Sequence, residues 1–451
     1  MAEVTPDNVY SFLSVLQPYM PVFYVSFLVT LLLTPLMRFL AHRHGIVDDP
    51  DGKRKVHTQP IAYLGGVATF LGWLAGVSVS VMLRPHNADA TFMQTVQIPP
   101  GVLLGAAVIV LFGLMDDIYS LAPRVKLGGQ FIAALFLLLP GAIPGGWSIG
   151  TDQFLTGHKG TAWMIYGPLE RLGILPAVES FSPNTAFCIK LGLLAVSVGV
   201  AVFIIISTCN ATNLLDGLDG LCSGVTGIMS MGYLILSLYL ATQALRVGGN
   251  TGDVDPVRIT LSLALLGAVL GFLPFNFNPA SIFMGDTGSM FLGYMCGTMM
   301  LLFGRGDTNS IPWFLASVVI FGLPLLDTLL AIVRRKLNGR PIFSPDSNHF
   351  HHFLIKRGLS VRQAVLLCYG VTAVFVSFAL VIALTPTRTA LGLYMVLFGW
   401  LIVGAFKIGL IFQQRAPTNT TINTTVITID RPTPAETSGP SALTTTVAEH
   451  R

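Results

Sequence analysis

Residues 99–126 read PPGVLLGAAVIVLFGLMDDIYSLAPRVK. Two prolines open the stretch, fifteen uncharged residues (101–115) follow, and the run ends on Asp116-Asp117, with Arg124 and Lys126 just beyond. A carboxylate near a bilayer interior costs about 2.5–3.5 kcal/mol on insertion scales. Two adjacent ones repel each other and need cations to stay ionised. The stretch therefore reads as a membrane-crossing helix that ends in a charged site.

The rest of the chain agrees. Of 451 residues, 53% are hydrophobic and 11% charged, where an ordinary soluble chain carries about 25% charged residues. That excludes a soluble multidomain enzyme, a disordered chain and a nucleic-acid-binding module. A bilayer core of about 30 Å needs roughly 17–25 apolar residues per helix. The expected fold is an all-α integral membrane protein with about eleven transmembrane helices. They fall near 22–40, 61–83, 101–115, 127–143, 187–208, 220–242, 257–273, 287–303, 311–333, 364–385 and 390–412. Glycines inside the spans suit close helix packing in lipid, and the loop 144–186 is too short for an independent core.

Eighteen of the 26 lysines and arginines fall on the side shared by the odd-numbered loops and the C-terminus. The positive-inside rule makes that side cytoplasmic and puts the N-terminus outside. Three segments follow: an extracytoplasmic stretch over 1–21, a polytopic domain over 22–412 and a Thr-rich, disordered cytoplasmic tail over 413–451. The start MAEVTPDN has no basic n-region, which argues against a cleaved signal. The five cysteines show no CxxC or Cys/His spacing and read as buried small hydrophobes. Two sequons in the tail, at Asn419 and Asn423, have no meaning on the cytoplasmic side.

Five polar clusters fall on that side. They are Lys53-Arg54-Lys55-Val56-His57 before Tyr63-Leu64-Gly65-Gly66, the Asp116-Asp117 pair with Lys126, the block 210–221, the segment Asn276 to Ser289, and Ser344 to His352. Each alone has a bland reading. Asp-Gly is ordinary turn chemistry, Asn210 or Asp216 can cap a helix, and a basic run can anchor topology beside anionic lipid. Together they offer hard carboxylate oxygens for a divalent metal and Lys, Arg and His for phosphates. The chemistry indicated is metal-assisted phosphoryl transfer at the membrane face.

The motifs have a joint order: Asp116-Asp117, N-x-x-N-x-x-D-G-L-D-G-L (210–221), F-M-G-D-T-G-S (283–289) and H-x-H-H (349–352). In these, and along nearly all of 22–412, the chain resembles the polyprenyl-phosphate N-acetylhexosamine-1-phosphate transferase family. The S-P-D block with H-x-H-H is similar to the branch that starts O-antigen, teichoic acid and related glycans. The phospho-MurNAc-pentapeptide transferase branch typically has an H-H-H run and is the alternative. Tyr63 and Asn348 stand where relatives often carry a basic residue.

The resemblance implies transfer of a sugar 1-phosphate, GlcNAc-1-phosphate first among candidates, from a UDP-N-acetylhexosamine to a polyprenyl phosphate (undecaprenyl phosphate) with release of UMP. The cofactor implied is Mg²⁺, with Mn²⁺ as substitute; a homodimer is left open and no nucleic acid is implied. The implied catalytic acids are Asp116, Asp117 and Asp286, the first two toward the lipid phosphate. Asp286 and Asp216 are the implied metal ligands. Asn213, Asp216 and Asp219 would organise the nucleotide-sugar; His349, His351, His352 and Arg340 would hold the diphosphate or sugar. Lys55, His57, Lys126, Asn210 and Asn276 complete the substrate-binding set. The multi-pass protein is expected in the cytoplasmic membrane with its site on the cytoplasmic face. Two competing classes are an ion or solute transporter using the carboxylates, and a catalytically silent assembly protein. Transporter sites usually sit at the midplane between repeated halves, and neither feature is visible here. Asp327, the acidic residue deep in a span about two helical turns before Arg334-Arg335-Lys336, reads equally as a partner in an intrahelical or interhelical salt bridge and as a substrate residue.

Overall fold

In the computed structural model, every apolar stretch expected to cross the membrane is mostly helical over its described residues. The structure describes residues 12–49, 60–82, 96, 98–138, 182–246, 254–304, 310–339, 341 and 349–407, all within one compact unit, Met1–Phe412. The basic run carrying Lys55 and His57, the loop 144–181, Arg340 and the tail from 413 lie outside the described residues.

The chain begins with α1 (Phe12–Leu16), a 3₁₀ turn (Gln17–Tyr19) and α2 (Met20–His44), so helix starts about ten residues before the expected span. Pro18 and Pro21 do not block it, because proline is tolerated in the first turn, where its missing N–H has no partner anyway. Gly45, at φ 68°, ends α2 by donating back to Ala41 and His42. Next come β1 (Val47–Asp48), β2 (Ile61–Ala62), α3 (Gly65–Met82), α4 (Pro100–Tyr119), α5 (Pro123–Leu138), α6 (Pro183–Leu215), α7 (Leu221–Arg246) and α8 (Val254–Asn276). They are followed by α9 (Gly285–Phe303), α10 (Ser310–Ile320), α11 (Gly322–Leu337), α12 (Phe350–Lys356), α13 (Val361–Ala383) and α14 (Thr387–Lys407).

Among the described residues, seven helical stretches are long and apolar enough to cross a membrane: α1 through α2, α3, α4, the second half of α6, α7, α8 and α13. An eighth is the pair α10 and α11, taken as one broken span. Helices α5, α9 and α14 lie over expected spans but fall short of that standard. The expected single span 311–333 is in fact broken, with α10 and α11 bent 75° at Phe321. Apolar continuity carries no information about direction, and the Gly322-Leu323-Pro324 sequence beside the break supplies its local cause.

Helix α9 is the centre. Nearly all its side chains are buried, and it packs against α3, α4 and α6. Close approach requires glycine: a Cβ on Gly66 of α3 would lie 2.2 Å from the Gly288 nitrogen of α9. The entry to α9 is clamped by the β1–β2 ribbon. Ala62 bridges Ile282, the Phe283 N–H donates to Ala62 O (2.8 Å), and the Gly65 and Gly66 N–H groups donate to the Phe283 and Met284 carbonyls (3.0 and 2.9 Å). The segment before Asp286 is thus tied to residues 62–66 by one parallel bridge and three backbone hydrogen bonds.

Candidate active site

Helix α4 ends in a left-handed Ser120 (φ 51°), and Asp116 accepts the Leu121 N–H on Oδ1 (2.7 Å), closing the turn with its own side chain. The other oxygen of Asp116 meets Lys126 Nζ at 2.5 Å. Lys126, at the start of α5, also donates to Asp286 Oδ2 at 2.7 Å. Asp286 lies in the first turn of α9, and its Oδ1 accepts from Asn213 Nδ2 at 2.8 Å, while the same amide reaches Ser289 Oγ at 3.0 Å. The oxygens of Asp116, Asp117 and Asp286 come within 4.8 Å of one another. Two carboxylates on one ammonium with a third beside them leave a negative centre, and hard oxygens so spaced suit a small divalent cation.

Asp117 faces the same centre in a different way. Its Oδ1 accepts the Asp286 N–H (2.7 Å), and its Oδ2 accepts the Thr287 N–H (3.0 Å) and the Thr287 hydroxyl (2.5 Å). It caps α9 from another helix, a position where negative charge is favoured by the exposed N–H groups. Gly285, at φ 69°, is required here: a Cβ would lie 2.4 Å from Asp117 Oδ2.

The expected loop 210–221 is half helix, because α6 runs seven residues beyond the expected end of its span. This places Asn210 and Asn213 on one helical face and Asp216 at the C-cap. Burial together with the nearby Asp286, Asp117 and Asp219 charges pushes Asp216 up to about 8. Asp216 stands outside the three-carboxylate cluster. Asp219 Oδ2 accepts the Asn278 amide (2.9 Å) and the Ala280 N–H (3.0 Å). Asn276 donates to Ile282 O (3.1 Å) and accepts from the Gly220 N–H (3.2 Å) and Ser223 Oγ (2.8 Å). Asn210 donates to Gln130 Oε1 and to Ile206 O, both at 2.7 Å. These three side chains therefore tie the loops and helices that carry the acids.

The histidines form a second group on α12. His349 and His351 are stacked at 5.8 Å, and His351 lies 4.3 Å from His352. His349 Nδ1 meets Asp327 Oδ2 at 2.9 Å, and the Phe350 N–H donates to Asp327 Oδ1 at 2.8 Å. His351 is 1% exposed, and neither ring nitrogen has a hydrogen-bond partner among the described residues. Burial, with His352 adding to it, pushes its pKa down to about 3. Its ring abuts Gly217, where a Cβ would lie 2.4 Å from Nε2, next to Asp216.

Two contributors were not singled out in the sequence. Gln130, 1% exposed, connects α5 to Asn210. Its signal was available: a polar residue one helical turn after Lys126 in an apolar helix. Asp48 bonds the Tyr63 hydroxyl, and Tyr63 lies 6.1 Å from the Phe283 ring, beside the clamped segment. Burial and the Asp48 charge push that phenol well above its ordinary range.

Residues 99–304 match the family described as glycosyl transferase family 4. The chain is 33% identical over 399 residues to a probable undecaprenyl-phosphate N-acetylglucosaminyl 1-phosphate transferase of Bacillus subtilis, covering 88% of this chain and 93% of that protein. It is 33% identical to the decaprenyl-phosphate N-acetylglucosaminephosphotransferase of Mycobacterium tuberculosis, over 76% of this chain and 77% of the relative. It is 30% identical to a phospho-N-acetylmuramoyl-pentapeptide-transferase of Desulforudis audaxviator, over 76% and 91%.

Proposed function

The chain belongs to glycosyl transferase family 4, and from that premise we propose that it transfers N-acetylglucosamine 1-phosphate from UDP-GlcNAc to undecaprenyl or a similar polyprenyl phosphate. An oxygen of the lipid phosphate forms a bond to the sugar-bearing phosphorus, the bond from that phosphorus to the bridging oxygen breaks, and UMP leaves. The products are UMP and a polyprenyl diphosphate carrying the sugar. The observation that carries the proposal is the Asp116–Lys126–Asp286 cluster with Asp117 behind it, drawn from two motifs far apart in the chain.

The attacking phosphate is ionised at neutral pH and needs little help from a base, so direct in-line attack is the favoured course. Two anions must approach, and the protein's task is to neutralise and orient them. Lys126 supplies a positive charge within the carboxylate centre. Asn213 orients Asp286, and Asp117 holds the turn on which Asp286 sits. From α12, His351 reaches Gly217 next to Asp216, with His349 and His352 beside it. Mg²⁺, or Mn²⁺ in its place, fits the donor set; Asp286, with Asp116 and Asp117 alongside and Asp216 nearby, would hold it. Once bound, such an ion supplies charge neutralisation and a template for the diphosphate.

The topology proposed is eleven crossings with the N-terminus outside and the C-terminus and active site cytoplasmic. The lysine and arginine bias supports it. Membranes containing the full chain, given UDP-GlcNAc labelled in the sugar, polyprenyl phosphate and Mg²⁺, should form a labelled lipid and UMP. A panel of UDP-sugars decides the donor: lipid formed only with UDP-MurNAc-pentapeptide would move the chain to the peptidoglycan reaction. No labelled lipid with any donor would overturn the transferase reading.

A further inference from the structure

Asp327 belongs to no motif named above, and its partner lies on another helix, at His349. Helix α11 follows the 75° bend at Phe321 and touches α12. Leu330 of α11 packs with Leu326, Phe350 and Phe353, fastening the two helices through an apolar contact. Within that contact, Asp327 is 4% and His349 5% exposed. A buried carboxylate is costly unless its oxygens are satisfied. Here one oxygen takes the first N–H of α12, from Phe350, and the other takes His349 Nδ1. A carboxylate only accepts, so this contact requires a proton on His349 Nδ1. The same two bonds fix the register of α12, which carries His351 against Gly217 beside Asp216.

We propose that Asp327 is a positioning residue for donor binding: it locks His349 in the Nδ1–H form and seats α12 so that the histidine group faces the nucleotide-sugar. This rests on the transferase reading for its donor, but the tautomer it requires is measurable without any turnover. A salt bridge with the basic end of α11 would leave His349 and the Phe350 N–H unfixed, whereas the observed carboxylate contacts go to α12. Asp327 also acts through His349 rather than on substrate, which separates it from Asp116 and Asp286.

The test uses the full chain in liposomes. Solid-state ¹⁵N spectra of ¹⁵N-histidine protein, with the His349 signals assigned by their loss in His349→Ala, should show a protonated Nδ1 in the wild type. A His349 with a bare Nδ1 would overturn the proposal without any Asp327 variant. Asp327→Asn presents an amide where a charged acceptor stood; losing one charge-assisted hydrogen bond corresponds to about ten- to a hundredfold. KM for UDP-GlcNAc should rise by that factor, with KM for the lipid phosphate and Mn²⁺ affinity within about twofold of wild type. In a His349→Ala background the same substitution should change KM by less than about twofold, since its target is gone. Fully multiplicative effects, or equal losses for both substrates, would overturn the positioning role. If the wild type forms no labelled lipid with any donor, the transferase reading falls, while the spectra still decide the tautomer.

Discussion

Asp117 tests whether a motif acid acts on substrate or on the fold. Both of its oxygens are engaged by the first turn of α9: the Asp286 N–H at 2.7 Å, the Thr287 N–H at 3.0 Å and the Thr287 hydroxyl at 2.5 Å. Asp117→Asn keeps the shape but turns an amide NH₂ toward those donors. Leaving one buried donor unmet costs about 1–3 kcal/mol, and removing the charge from a helix N-terminus costs about 0.3–1 kcal/mol more. If about half of the total, roughly 1.4 kcal/mol, appears as displacement of Asp286, metal affinity falls about tenfold. Thr287→Val removes only the hydroxyl bond and leaves every carboxylate in place, so it isolates the clamp from direct metal ligation. Mn²⁺ titrations of the full chain in nanodiscs, followed by electron paramagnetic resonance, should show weaker binding in both variants. Excess Mg²⁺ should restore part of the turnover in each. Unchanged affinity in Thr287→Val alongside a large loss in Asp117→Asn would make Asp117 a direct ligand. Unchanged affinity in both, with turnover abolished in Asp117→Asn at every Mg²⁺ concentration, would assign it to the acceptor and refute the clamp.

Gly217→Ala places a Cβ 2.4 Å from His351 Nε2, an overpacking expected to cost about 1–3 kcal/mol. Its unfolding midpoint in detergent should drop, and His351→Ala in the same chain should recover the loss; no recovery would show that the strain lies elsewhere. His351 itself predicts a pH dependence. Its pKa is 6.5 in a model peptide and about 3 in the fold. As pH falls below 6.5, the unfolded chain binds a proton that the folded ring refuses, so stability is lost on acidification, by about 2 kcal/mol at pH 5. His351→Gln should flatten the fall in unfolding midpoint between pH 7 and pH 5 by that amount, and an identical slope in the variant would contradict the burial.

The acids were legible because of where they stand. A carboxylate at the end of an apolar run has a cost that only a function or a partner offsets, so Asp116, Asp117 and Asp286 marked the site before any geometry. The division of labour among them was not legible. Asp116 meets Lys126, Asp117 meets backbone N–H groups and Asp286 meets both Lys126 and Asn213. Which of these an oxygen finds depends on how α4, α5, α6 and α9 cross, and no local pattern encodes that. The amides pose the same difficulty more sharply. Asn213 reaches the cluster, while Asn210 and Asn276 are occupied by Gln130, Ile206, Ile282, Gly220 and Ser223. An amide that binds a ligand and one that ties a loop require the same donor and acceptor, so sequence cannot separate them. The bend at Phe321 was hidden for a related reason: the apolar run continues through it, and hydropathy reports no direction. Asp327, beyond the bend, gave no sign that its partners would be His349 and the Phe350 N–H of α12 rather than the basic residues of its own helix. The length of the motifs follows from this geometry. Within N-x-x-N-x-x-D-G-L-D-G-L, Asn213 addresses the centre and Asp216 borders it, while Asn210, Asp219 and Gly220 hold the surrounding backbone in the one arrangement that lets them do so.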